Sequence, residues 1–234
     1  SSSLLDQELS RLGISVGYVP FDDLCQDLTP YLQPRTRLLL CETISNPLLR
    51  VVELGAAAAA CHAHGLKLVV DNTFATPILT RPFAHGADLV VHSVTKYLAG
   101  HSDVTAGVAV ARTPEDADRL RQIGTLFGLT LSPMESWLAV RGLKTLRLRV
   151  QEHCRNAQAL AGMLQAHPAV QAVHYPGLPG HPQHQLAATQ GGGLFGGMLS
   201  VRLADDAAVV NRFMRRTRRF PFAPSLAGVD SSLS

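Results

Sequence analysis

Lys96 follows two hydroxyl residues in Ser93-Val94-Thr95-Lys96-Tyr97, and Asp71 closes the apolar run Leu68-Val69-Val70 twenty-five residues earlier. The chain contains three lysines against eighteen arginines, so an amine at this place serves chemistry before charge. A lysine amine can bond covalently to a carbonyl carbon, and a nearby carboxylate can keep an aromatic nitrogen protonated. For the two to cooperate, the scaffold must bring them to one place.

Two strands supply that scaffold. Ala87-Asp88-Leu89-Val90-Val91-His92 is a short apolar run ending in hydroxyl residues, which reads as a buried parallel strand with Lys96 projecting just beyond its end. Leu66-Lys67-Leu68-Val69-Val70 is a second, closed by Asp71. Ligands of open parallel sheets sit beyond the carboxyl ends of the strands, so Asp71 and Lys96 face one crevice. The pair matches pyridoxal 5'-phosphate: the amine condenses with its aldehyde and the carboxylate holds the pyridinium, while Ser93 and Thr95 offer two hydroxyls to its phosphate.

Asn46, before Pro47 at the end of the strand Arg37–Glu42, has two readings. It is a turn residue, or its amide reaches the cofactor's phenolate oxygen. Plainer readings exist for the central pair as well. A lysine after a strand is most often exposed, and Asp71 can serve as the N-cap of the next turn. A metal-binding Asp71 of P-loop type needs an upstream Gly-x-x-x-x-Gly-Lys-[Ser/Thr], which the sequence lacks.

The remaining elements alternate. Ile14–Val19 reads as a strand, Val52–Ala63 as a helix stopped at Gly65, Ala106–Ala111 as a strand and Pro114–Leu126 as a helix with proline in its first turn. Repeated strand and helix mean α/β with a mainly parallel sheet. From Ser132 the character changes. A long helical region, Pro133–His167, is interrupted near Gly142 and bridges to a smaller α+β layer. That layer comprises a strand at Val170–Tyr175, a Pro/Gly/His-rich loop, a short polar helix, a strand at Gly197–Val201 and a helix at Ala207–Arg216. The expected division is a large domain over 1–147 and a second, incomplete domain over 148–234.

Composition narrows the function further. With 234 residues, 46% of them hydrophobic, and a formal charge of +3, the chain is globular with ample core, and no run of about 18 apolar residues points to a membrane. Arg212, Arg215, Arg216, Arg218 and Arg219 cluster at a helix end with a single aromatic, Phe213, among them, and such charge runs are usually solvated surface, which argues against nucleic acid. Cys25, Cys41, Cys61 and Cys154 form no Cys-x-x-Cys pair and read as reduced packing residues of a cytoplasmic protein.

Other motifs fail on context. Gly191-Gly192-Gly193-Leu194-Phe195-Gly196 has dinucleotide-fingerprint spacing but precedes a strand rather than a helix. His101-Ser102-Asp103 is contiguous, so its side chains diverge and cannot relay a proton. His62 and His64 face different ways on a helix, and no metal is expected.

The ordered motifs Glu42-Thr43-Ile44-Ser45-Asn46-Pro47, Val70–Pro77, His92–Asp103, Trp137–Leu146 and Tyr175–Pro179 with His181-Pro182 together resemble the trans-sulfuration, or cysteine/methionine-metabolism, family of pyridoxal-phosphate enzymes. The resemblance runs along nearly all of the chain. It implies a fold-type I large domain, with Lys96 as Schiff-base lysine and proton shuttle and Asp71 on the pyridinium. Ser93 and Thr95 would hold the phosphate, Asn46 the phenolate oxygen, and Ser225 would stand near the substrate carboxylate. It further implies β/γ-elimination or γ-replacement on sulfur amino acids or O-acylhomoserine, in a homo-oligomer built as a dimer of dimers.

The serine-rich start without Met and the stop after an apparent strand read as a piece of something longer. The family's ring-stacking tyrosine and phosphate turn would precede Ser1, and its carboxylate-clamping arginine would follow Ser234, so these residues alone are expected to turn over weakly or not at all. Pro224 stands where γ-synthases and γ-lyases often carry glutamate, which leaves the substrate open. A non-catalytic homologue that binds the cofactor or oligomerises, and an aminotransferase on the same fold, are the competing readings.

Overall fold

A computed structural model describes residues 4–203, 207–217, 220, 222–223 and 225–233. Its first sheet runs β1 (Leu38–Glu42), β2 (Lys67–Asp71), β3 (Leu89–Ser93) and β4 (Gly107–Ala111) in that spatial order. The first three strands are parallel, and β4 returns antiparallel to β3.

Helix α1 (Leu54–Ala63) covers one face of this sheet. The Glu53 carboxylate caps it by accepting the Gly55 N–H at 3.0 Å, and the chain leaves through Gly65, whose φ of 67° favours glycine. Leu54, Ala57 and Cys61 meet Leu68, Val70 and Val90 in a dry cluster. Each fully buried leucine or valine there stabilises the fold by about 1.5 to 3 kcal/mol. Asp88 ties these layers together: its carboxylate accepts the Leu68 N–H at 2.8 Å and lies 3.0 Å from His62 Nε2.

The chain continues through the short α2 (Thr76–Leu79) to α3 (Pro114–Leu126), which Thr113 caps through the Asp116 N–H. Helix α4 (Pro133–Leu143) opens with a capping box of Ser132 and Glu135, and α5 (Leu146–Gln165) follows almost at once. The break expected near Gly142 therefore falls just after it. Gly142 itself lies in α4, and a Cβ there would come 2.2 Å from the Ala99 carbonyl oxygen, so this glycine exists for close approach.

The second layer contains β5 (Val170–His174) paired antiparallel with β6 (Ser200–Leu203), α6 (His184–Gln190) and α7 (Ala207–Arg216). Two expectations change. The strand read at Gly197–Val201 starts three residues later, because Gly197 is spent passing α5: a Cβ there would lie 2.6 Å from His153 Cβ. Ile14–Val19 forms no strand; its residues are mostly exposed and no ladder partner reaches them.

Helix α5 belongs to both layers. Leu146, Val150 and Cys154 pack with Tyr97, Leu49 and Val51, whereas Ala157 and Ala161 pack with Tyr175 and Leu178. Burial pushes the Cys41 thiol up to about 12 and the Cys61 thiol up to about 11, so both stay protonated and inert. Among the described residues no helix is long and apolar enough to cross a membrane.

Candidate active site

Asp71 is the last residue of β2 and lies opposite Glu42 of β1 and Val91 of β3. Side chains alternate along a strand, so Leu68 and Val70 point into the core under α1 while Asp71 points to the other face. The Thr73 N–H donates to Asp71 Oδ1 at 3.0 Å, which fixes the carboxylate and leaves Oδ2 without a partner among the described residues. Thr73 Oγ1 then accepts the Ser93 N–H at 2.8 Å, joining the ends of β2 and β3. Asn72 is fully buried; its Oδ1 accepts from Thr43 Oγ1 at 2.7 Å and its Nδ2 donates to the Thr80 carbonyl at 3.0 Å.

Lys96 lies in a wide turn, Val94–Leu98, that departs from helical geometry at Lys96 itself (φ −86°, ψ −126°). The Ala99 N–H reaches back to the Val94 carbonyl at 2.9 Å, and the Gly100 N–H to that of Lys96 at 2.8 Å. The half-buried Lys96 amine donates to Ser225 Oγ at 3.0 Å. These two residues are 129 positions apart, so the contact joins the first sheet to the end of the chain.

The two hydroxyls before Lys96 differ. That of Ser93 makes no hydrogen bond among the described residues, whereas Thr95 Oγ1 donates to the Ala106 carbonyl at 3.2 Å and accepts its N–H at 2.9 Å. Thr95 is thus already engaged in tying the turn to the residue before β4. Asn46, beyond β1, is exposed; its N–H donates to Glu42 Oε2 at 3.3 Å, and its peptide bond to Pro47 is cis. Burial holds the Glu42 carboxyl above its ordinary value, with the Asp71 charge adding to the shift and the Asn46 N–H opposing it.

Sequence reasoning isolated Lys96, Asp71, Ser93, Thr95 and Asn46 and found Ser225 through resemblance; the structure brings Lys96 and Ser225 together and sets Asp71 and Ser93 on neighbouring strand ends. It gave no role to Asn72 and Thr73, although both lie directly after Asp71 in the Val70–Pro77 motif. It also missed a backbone feature. Among the described residues the four non-glycine positions with left-handed φ, Leu49, Thr76, Ser102 and Ala227, follow Asn46, Asp71, Lys96 and Ser225 by two to six residues. Such conformations cost about 1 to 3 kcal/mol each and gather where surrounding structure imposes them. Pro224, Arg218 and Arg219 lie outside the described residues.

A lysine amine and a carboxylate beyond the carboxyl ends of adjacent parallel strands give an α/β protein the groups that amine–carbonyl chemistry needs. The model of the Cys/Met metabolism PLP-dependent enzyme family matches residues 1–234, and the chain belongs to that family. It is 45% identical over 231 residues to an L-methionine gamma-lyase of Pseudomonas deceptionensis, covering 98% of this chain and 57% of the relative. It is 43% identical over 228 residues to a cystathionine beta-lyase of Lactococcus lactis subsp. cremoris, covering 97% and 59%.

The crystal structure of cystathionine gamma-lyase from Lactobacillus plantarum complexed with L-serine superposes with a TM-score of 0.92 at 36% identity, covering 98% of this chain and 59% of that one. The chain therefore spans less than two thirds of the length of these relatives. Its donor set fits pyridoxal 5'-phosphate. A primary amine with one neutral partner, a carboxylate with one open oxygen and an open serine hydroxyl are what the aldehyde, ring nitrogen and phosphate require.

Proposed function

We propose that the protein carrying this chain eliminates a substituent at Cβ or Cγ, or replaces one at Cγ, of sulfur amino acids or O-acylhomoserine. The observation that carries this reading is the Lys96 amine, half-buried at the end of β3 and 3.0 Å from Ser225 Oγ, with Asp71 ending the adjacent parallel strand. Bound pyridoxal 5'-phosphate supplies the electron sink for carbanion chemistry at the substrate's Cα.

The residues divide that work. Lys96 would hold the cofactor through Nζ, and its amine, once free, would take the substrate's Cα proton and return one on the product side. Asp71 Oδ2 accepts from the ring N–H and keeps that nitrogen protonated while Thr73 holds Oδ1 still. Ser93 donates to the phosphate directly, and Thr95 does so once its hydroxyl turns from the Ala106 carbonyl. Asn46 donates to the phenolate oxygen. Ser225 accepts from the free Lys96 amine and stands beside the substrate carboxylate.

We further assign residues 1–147 to the cofactor-binding domain and 148–234 to an incomplete second domain, with α5 as the link. A cytoplasmic homo-oligomer is the assembly we favour: all four cysteines are free thiols, and Leu126, Phe127, Leu129, Met134 and Trp137 lie exposed along and before α4. Turnover of cystathionine, cysteine, methionine and O-acylhomoserine by the intact, cofactor-loaded protein tests the reaction. Pyruvate or 2-oxobutanoate should form well above the rate of free cofactor. Absence of both a keto acid and a γ-replacement product from O-acylhomoserine plus cysteine, or amino transfer that requires an added keto acid, would contradict it.

A further inference from the structure

Arg149, in the first turn of α5, has no established part in the site, yet it holds the backbone on which Lys96 sits. Its Nη1 donates to the Tyr97 carbonyl at 2.8 Å, its Nη2 to the carbonyls of Leu98 at 3.3 Å and Gly142 at 2.8 Å, and its Nε to Thr145 Oγ1 at 3.0 Å. Four of its five N–H groups are therefore used, two of them on the carbonyls immediately after Lys96. A turn that breaks from helical geometry at Lys96 leaves such carbonyls without partners from its own backbone, and the planar guanidinium supplies partners in fixed directions.

The surroundings are shaped to admit that fork. Gly100 has φ 71°, and a Cβ there would lie 2.0 Å from Arg149 Nη1; a Cβ on Gly142 would lie 2.2 Å from the Ala99 carbonyl oxygen. The Lys96 turn and α4 thus meet backbone to backbone, with Arg149 binding both. Arg149 pairs with no carboxylate among the described residues, so its partners are carbonyl dipoles and one hydroxyl. One turn further along α5, His153 packs edge-on against Tyr97, with ring centroids 5.5 Å apart, so a second α5 side chain braces the same turn.

We propose that Arg149 is a positioning residue that sets where the Lys96 amine stands, acting through the carbonyls of Tyr97 and Leu98, so that covalent capture of the cofactor depends on it while non-covalent binding does not. This inference rests on Lys96 being the cofactor lysine. Bond formation requires the amine within a narrow approach to the aldehyde carbon, and a displacement of about 1 Å can cost on the order of a hundredfold in such steps. The other proposed donors do not share that dependence: Thr73 and the strand ladder hold Asp71 and Ser93 independently of α5, and Thr95, although inside the turn, is tied by its hydroxyl to Ala106 beside β4.

The test compares two ligands on the intact apoprotein: pyridoxal 5'-phosphate, and pyridoxine 5'-phosphate, which presents the same ring and phosphate but an alcohol in place of the aldehyde. In Arg149→Met, affinity for pyridoxal 5'-phosphate should fall about tenfold or more while that for pyridoxine 5'-phosphate stays within about twofold, and Arg149→Lys should recover only part of the loss. Equal losses for both ligands would mean a general structural role and overturn the proposal, as would no loss for either. If Arg149→Met does not fold, Thr145→Val decides. Freeing Nε should cost several-fold in pyridoxal 5'-phosphate affinity alone, and an unchanged affinity overturns the proposal. A wild-type protein that forms no covalent bond at Lys96 would instead refute the assignment of Lys96, a separate result.

Discussion

The two segments that meet at the Lys96 amine are built differently. The Val94–Leu98 turn is tied to the residue before β4 by the paired Thr95–Ala106 bonds, to β2 by the Thr73–Ser93 bond and to α5 by the Arg149 fork. Among the described residues the Ser225 side has fewer ties. The Ala223 N–H donates to the Leu233 carbonyl at 2.8 Å, Ser232 Oγ to the Ser225 carbonyl at 3.4 Å, and Leu226 and Ala227 pack against the core shared with α5. Among the described residues, the Lys96 turn is fixed from three directions and the Ser225 segment from fewer.

Replacing Lys96 tests the more firmly tied side most severely. On the proposed assignment Lys96→Ala removes both the covalent anchor and the proton-transferring group, and turnover should fall by about a thousandfold or more in a steady-state assay. Asp71→Asn comes next. An amide at this position cannot stabilise the protonated ring nitrogen as a carboxylate does, and kcat should fall by about a hundredfold with the fold intact by circular dichroism.

The contrast between the two segments sharpens when stability and activity are read together. Gly142→Ala forces a methyl group against the Ala99 carbonyl and should cost about 1 to 3 kcal/mol in urea unfolding. Ser225→Ala should leave stability within about 0.5 kcal/mol, because among the described residues its hydroxyl's partner is the Lys96 amine, yet lower kcat/KM about tenfold by freeing that amine. Comparable stability losses for both variants would break the distinction.

The smallest effect concerns acid. His92 is buried with Nδ1 unpartnered, and burial holds its pKa below the ordinary 6.5, with Asp71 opposing the shift. The unfolded chain therefore binds a proton that the folded chain refuses as pH falls below 6.5. Stability should decline there by no more than about 1.4 kcal/mol per pH unit from this residue. Denaturant midpoints measured from pH 7 downward should show that slope, and a folded His92→Gln variant should lose it.

Much of this was legible in the sequence, for physical reasons. Buried parallel strands announce themselves as short apolar runs, so Asp71 and Lys96 could be placed at strand ends from the pattern alone. Helix α3 was bounded correctly from Pro114, whose fixed φ acts locally, and the structure adds Thr113 as its cap. The hidden features depend on distant partners. Arg149 resembles any surface arginine until the Tyr97 and Leu98 carbonyls are seen beneath it, and Gly142 reads as a helix break although its task is contact with Ala99. Ile14–Val19 has a strand's composition, but a strand requires a neighbour as well as a pattern.

The central claim is that one amine among three lysines carries the chemistry. Loading the intact protein with pyridoxal 5'-phosphate, fixing the bond with borohydride and mapping the modified peptides by mass spectrometry tests it most directly. The label should fall on Lys96, stoichiometrically, and vanish in Lys96→Ala. Label on Lys67 or Lys144, or label that survives the Lys96 substitution, would contradict the account.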